Sequence, residues 1–150
     1  MTKNELIEDA GKLKQPSGEA IREFSDRKEA MIGDLNERLF ATAGFNHIIT
    51  PELHDMLRDN HQNQFRFMES VFGAYNAEVF VNTVLWVFSV YRSHGFDTRY
   101  WDQLLPAVLN VYESHLSRQT YAELAPFYRW LNAKKHEFIS MTNNAPKPQH

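Results

Sequence analysis

The 150-residue chain contains no cysteine, and this absence excludes several kinds of site. Without thiols the protein has no disulfide framework, no zinc–cysteine site, no iron–sulfur cluster and no thiol nucleophile. Long hydrophobic runs are missing as well. The longest apolar stretch, residues 79–91, is interrupted by Asn82, Thr83 and Ser89 and is shorter than the roughly 20 residues that span a bilayer. We therefore expect no membrane association.

A strong excess of either charge sign is also absent. The chain carries 16 Lys and Arg against 19 Asp and Glu, a net charge of −3. Because nucleic-acid binding depends on clustered basic side chains, we expect no nucleic-acid partner. Charged residues are scattered through the first 13 positions, where a secretory signal needs an apolar segment. We therefore expect a cytoplasmic protein.

The overall composition is typical of a globular protein. Hydrophobic residues make up 43% of it, and there are 11 Phe, 3 Trp and 6 Tyr, enough for one substantial core. Apolar residues recur at steps of three and four, which predicts helices, and no hairpin signal interrupts them. We expect an all-α protein with a short helix or arm over 1–17, a single helical domain over 18–142, and a disordered tail over 143–150.

Helix 77–94 is apolar nearly all round, with Val79, Val84, Trp86, Val87 and Phe88 on different faces. A helix without a polar face normally has neighbours on several sides. With no sheet to cover it, the other helices must wrap it. The sequence therefore predicts a globin-like bundle of five to six helices around a central helix at about 77–94.

Sequence signatures of catalysis and metal binding are missing. No nucleophile elbow, phosphate-binding loop or dinucleotide fingerprint occurs. The seven histidines do not share a helix face with another histidine or a carboxylate at the spacing that metal sites use. We expect no enzyme activity and no metal site.

Polar residues interrupt the apolar stripe of helix 51–74. The helical spacing of the stripe predicts apolar residues at positions 60 and 64, but these are Asn60 and Gln64, and His61 lies beside them. Asn82 interrupts helix 77–94, and His115 borders the stripe of helix 98–116. One interpretation is a ligand-binding polar spot inside an aromatic wall. The other is that these amides hydrogen-bond to one another or to water and fix the helix register, or that Asn60 faces solvent.

Aromatic and arginine residues cluster in three further segments, 91–96, 100–101 and 128–130. If exposed, they mark a protein interface, since Tyr, Trp and Arg dominate interface hot spots. The alternative is ordinary core with snorkelling arginines. The candidate interface residues are Tyr91, Arg92, Tyr100, Trp101, Arg129 and Trp130.

The stretch from Val87 to Leu116 resembles a known family. An apolar helix ends at Tyr91-Arg92-Ser93-His94-Gly95-Phe96, and a helix with Tyr100, Leu104, Leu105, Val108 and Tyr112 follows. This pattern is similar to the globin-like sensor domains of bacterial regulators, particularly the non-haem globins of stressosome proteins. The resemblance implies a dimeric signalling module without catalysis, and it identifies no functional residue by motif.

Two functions are consistent with these observations. The first is a non-catalytic regulatory or sensory domain that acts through protein–protein interaction as a homodimer. The alternative is a sensor that binds a small apolar molecule or haem between helices 51–74, 77–94 and 98–116. For haem, the candidate axial ligands are His61 and His115, and His94 is a third candidate. We expect no other cofactor.

Overall fold

The computed structural model describes residues 1–143, and that range consists of helices joined by turns and short irregular segments, with no β-strand. A 3-10 turn, Pro51–Leu53, precedes the fourth of its seven α-helices. These helices are α1 (Lys3–Ala10), α2 (Gly18–Ala41), α3 (Phe45–Ile48), α4 (His54–Gly73), α5 (Ala77–Ser93), α6 (Arg99–His115) and α7 (Arg118–Met141). The all-α prediction is confirmed. Of the tail predicted over 143–150, all but Asn143 lies outside the described residues.

Helix boundaries follow local sequence. The Ser17 hydroxyl accepts the Ala20 N–H at the start of α2, and the Asn76 side chain accepts the Val79 N–H at the start of α5. Both bonds satisfy amides that have no partner inside their helix. Gly95 follows α5 with a φ of 80°, a left-handed conformation that glycine adopts at little cost.

The centre of the bundle is α2. It packs against α4, α6 and α7, and α6 and α7 form the most extensive pair in the fold. Phe24 of α2 lies at this centre, stacked on Phe65 with ring centroids 5.8 Å apart and in edge contact with Phe72 and Tyr112 at 5.2 and 5.7 Å. These aromatic contacts join α2 to α4 and α6.

The prediction that helix 77–94 is the central, wrapped helix is wrong. The helix α5 packs mainly on α1 and α7, and its opposite side is open: Val79 is 57% and Trp86 is 65% exposed. Within residues 1–143, neighbouring helices leave this side of α5 uncovered. The pattern misled because the open side lacks charged residues, and a face of that kind cannot be told from a buried one by sequence.

The N-terminal segment is a docked helix. Leu6 and Ala10 of α1 are fully buried, the Trp130 indole N–H donates to Asp9 Oδ2 at 2.8 Å, and the Tyr75 hydroxyl donates to the Ala10 carbonyl at 2.5 Å. Of the two descriptions that the sequence left open, an arm or a short helix, the structure has the helix. No helix within residues 1–143 has the length and apolarity to cross a membrane.

Two glutamates join the starts of α2 and α7 reciprocally. Glu23 of α2 accepts the Ser117 backbone N–H at 2.5 Å and the hydroxyls of Ser117 and Thr120. Glu123 of α7 accepts the Ser17 backbone N–H at 2.7 Å and the Ser17 hydroxyl. Each carboxylate thus sits beside the positive end of the other helix. These hydrogen bonds hold the pKa of both carboxyls below their usual range.

Candidate functional site

An open groove separates α4 from α5 and has a volume of about 420 Å³. Its α4 wall contains both apolar and carboxamide side chains, its α5 wall is mainly apolar, and Phe96, which follows α5 in sequence, also lines it. We call it the α4–α5 groove. The lining residues are Met56, Asn60, Asn63, Gln64, Phe67, Thr83, Trp86, Val87, Val90, Tyr91, His94 and Phe96.

The structure brings together two of the predicted polar residues. Asn60 and Gln64 lie one turn apart on α4 and both line the groove. The Gln64 amide donates to the Tyr91 hydroxyl at 3.2 Å across the groove floor. Asn63, which sequence reasoning did not single out, adds a third carboxamide to the same wall.

His61 lies away from the groove and is fully buried in the core. Its Nδ1 is 2.5 Å from Asn36 Oδ1, and its Nε2 is 2.8 Å from the Tyr100 hydroxyl. Because an amide oxygen only accepts, Nδ1 carries the proton, and Nε2 accepts from the Tyr100 O–H. Both ring nitrogens are therefore occupied within the chain.

Burial sets the electrostatics of this cluster. It lowers the pKa of His61 to about 4, because the imidazolium form loses its hydration, so the ring is neutral at pH 7. Burial also raises the pKa of the Tyr91 and Tyr100 hydroxyls above their ordinary value. The two tyrosine rings are stacked with centroids 5.6 Å apart. His61, Tyr100 and Tyr91 thus form a neutral cluster, joined by a hydrogen bond and by ring stacking, beneath the groove.

The two remaining candidates lie elsewhere. Asn82 is half-buried on α5 and does not line the groove, although its neighbour Thr83 does. His115 lies at the α2–α6 contact, where its Nε2 is 2.8 Å from Asp34 Oδ2. The five predicted ligand-binding residues therefore do not converge, and only Asn60 and Gln64 share a site.

The predicted interface residues are mostly inside the molecule. Tyr91, Tyr100 and Trp101 are 8%, 0% and 5% exposed, so they form no open contact surface. Arg92 is half-buried and donates to the Ile139 carbonyl and Asn143 Oδ1. The Trp130 indole N–H is engaged by Asp9, as described above. Arg129 is exposed, with its guanidinium over the Tyr121 ring.

The exposed aromatic residue of the described chain is Trp86, which sequence reasoning placed in the core. It belongs to an uncharged row along the open side of α5, spaced by three and four residues. We call this row the α5 stripe: Val79, Asn82, Trp86, Ser89 and Ser93. The available signal was the coincidence of Asn82, Ser89 and Ser93 at helical spacing on a helix otherwise rich in apolar residues.

Within residues 1–143, no three His, Asp or Glu side chains come together in a way that holds a metal ion. No protein-family model matches the chain, and comparison with curated proteins and with solved structures found no match either. The groove and the stripe are therefore interpreted from their own geometry.

Proposed function

We propose that this protein is a non-catalytic regulatory domain that acts through self-association, with α5 of one copy packed antiparallel on α5 of a second copy. The observation that supports this proposal is Trp86, 65% exposed at the middle of the uncharged α5 stripe. Depletion of charge with an aromatic residue at the centre is typical of the core of a protein interface.

The spacing of the α5 stripe suits helix pairing. Residues 79, 82, 86, 89 and 93 follow the 3–4–3–4 pattern by which two helices keep one seam in contact. Ser89 is small and leaves room beside the two indoles at the axis, while Ser93 of each copy faces Val79 of the other. Burial of two indoles that are otherwise mostly in water contributes several kcal/mol to association.

Charge at the helix ends favours the antiparallel orientation. Glu78 is an acid in the first turn of α5 and Arg92 is a base in its last turn. In an antiparallel pair with Trp86 on the two-fold axis, Glu78 of each copy lies near the C-terminal end of the partner's α5, the end that carries Arg92, whose guanidinium is held by the Ile139 carbonyl and Asn143. The two helix dipoles then also oppose each other favourably. A parallel pair places like charges side by side instead.

Haem binding, the alternative raised by the sequence, is not favoured by the geometry. Both nitrogens of His61 and Nε2 of His115 have partners within the chain. Of the three candidate axial ligands, His94 alone lines the α4–α5 groove. We therefore do not propose a haem site.

Sedimentation equilibrium of the wild type and of Trp86→Glu tests the proposed function. We expect a dimer for the wild type. In Trp86→Glu the dissociation constant should rise at least about 100-fold, because two carboxylates meet at the axis and the central anchor is lost. Circular dichroism checks that the variant keeps its helices.

The matched control is Ala133→Glu, which adds the same charge at an exposed position of α7. It should dimerise like the wild type. A wild-type protein that sediments as a monomer at all accessible concentrations contradicts the proposal, as does an equal loss of dimer in both variants.

A further inference from the structure

The α4–α5 groove is a second surface feature, and it lies within a single chain, so an inference about it does not rest on self-association. Its volume of about 420 Å³ lies within the range of small-molecule sites. The groove runs beside the α5 stripe and shares Trp86 with it, whereas Val79, Ser89 and Ser93 of the stripe do not line it.

The lining restricts the charge of a ligand. Among the described residues that line the groove there is no Asp, Glu, Lys or Arg. A charged ligand loses hydration on entering an apolar site, and among the lining residues only the His94 imidazole, at the exposed end of the groove, could carry an opposite charge, and only to an anion. The groove therefore selects neutral molecules.

The lining also restricts the shape and the polar groups of a ligand. Phe67 and Phe96 provide flat aromatic surfaces, which pack well on planar rings. Asn60, Asn63 and Gln64 line one wall with carboxamides, and a carboxamide both donates and accepts hydrogen bonds. A planar ligand with amide, carbonyl or hydroxyl groups along one edge can stack on the aromatic side chains and hydrogen-bond to the carboxamides.

The floor is held in place by a series of contacts within the chain, and preorganisation of this kind lowers the entropic cost of binding. Gln64 is held by the Tyr91 hydroxyl, Tyr91 stacks on Tyr100, and Tyr100 bonds to buried His61. From this combination we infer that the groove is a binding site for a neutral aromatic molecule that carries a hydrogen-bonding edge.

Nile red, a neutral aromatic carbonyl compound that fluoresces in apolar surroundings, is the direct probe. We expect saturable binding of one molecule per chain. The matched variants are Asn63→Trp and Gln62→Trp, which change neighbouring exposed amides of α4, of which only Asn63 lines the groove. Asn63→Trp should weaken binding by about tenfold or more, and Gln62→Trp by less than about twofold.

Two comparisons test the ligand class. The anionic dye 8-anilinonaphthalene-1-sulfonate should bind more weakly than Nile red. As a competitor against Nile red, 2-naphthamide should act at about tenfold lower concentration than 2-ethylnaphthalene, the difference expected from one or two net hydrogen bonds.

Repeating the titration in Val79→Glu separates this inference from the proposed function, since Val79 belongs to the α5 stripe and not to the groove. Nile red should bind this variant as it binds the wild type even if the variant is monomeric. Absence of saturable binding to the wild type, equal weakening in both α4 variants, or tighter binding of the anionic dye overturns the inference.

Discussion

At the residue scale, the burial of His61 makes the stability of the folded protein depend on pH. Its pKa lies near 4 in the folded protein, below the ordinary value of 6.5 that it regains on unfolding. Between these values the unfolded chain binds a proton that the folded chain does not. The stability contributed by the neutral ring is therefore complete above pH 6.5 and is lost as the pH falls toward 4.

The variant His61→Gln should remove this dependence. In the wild type the His61 contribution to the free energy of unfolding should fall by about 1.4 kcal/mol per pH unit between pH 6 and 4.5. Urea unfolding at several pH values measures the difference between the two proteins, which should shrink as the pH falls. The exposed His136→Gln is the control and should parallel the wild type. A constant difference between His61→Gln and the wild type contradicts the assignment.

Single residues also show what the sequence could and could not reveal. The apolar stripe of α4 located Asn60 and Gln64 as a polar interruption, and the structure places both in one groove. The same pattern does not distinguish position 61, one residue away, because a rotation of about 100° separates neighbouring helix positions. The partners that bury His61, Asn36 and Tyr100, are distant in sequence and come together only in the folded chain.

At the element scale, the reciprocal contacts of Glu23 and Glu123 determine how α2 and α7 begin. Each carboxylate accepts hydrogen bonds from the start of the other helix, so each stabilises the fold most when it is ionised. Because both pKa values are lowered in the folded state, this stabilisation is present above the ordinary carboxyl pKa and is lost as the pH falls through the folded pKa.

Glu23→Gln tests this contact. We expect it to lower the free energy of unfolding at pH 7 by about 1–2 kcal/mol, because a charge-assisted bond to a backbone N–H becomes a neutral one. The loss should decrease toward pH 3, where the wild-type carboxyl is itself protonated. Glu29→Gln, an exposed acid on the same helix, should change stability by less than about 0.5 kcal/mol. Equal effects of the two substitutions contradict the role given to Glu23.

Helix identities were predictable from sequence because caps and apolar spacing are local. Helix neighbours were not, because they depend on the summed packing of all helices. Apolar residues on nearly every face of α5, with charge only at its two ends, predicted that the helix is buried on all sides at the centre of the bundle. In the structure α2 has that position, and α5 keeps an open uncharged side. The missing information was whether a second chain covers it.

At the scale of the whole molecule, the structure combines a groove and an adjoining stripe on one side of the bundle. The two features share Trp86, so a ligand in the groove lies at the edge of the proposed α5–α5 contact. The remainder of the surface has mixed charge, and Arg129 is the single predicted interface residue that is exposed within it.

Site-directed cross-linking tests the central claim, an antiparallel α5 pair, most directly, and the chain suits it because it has no cysteine. The measurement is covalent dimer formation by the double variant Val79→Cys, Ser93→Cys under mild oxidation. The two positions are about 21 Å apart on one helix, too far for an internal disulfide. With Trp86 on the two-fold axis, each cysteine faces the other cysteine position of the partner.

We expect the double variant to form a covalent dimer efficiently, while Val79→Cys alone and Ser93→Cys alone do not. Cross-linking of either single variant to itself indicates a parallel pair and contradicts the antiparallel arrangement. Failure of all three variants to cross-link, with helices intact, contradicts association through α5.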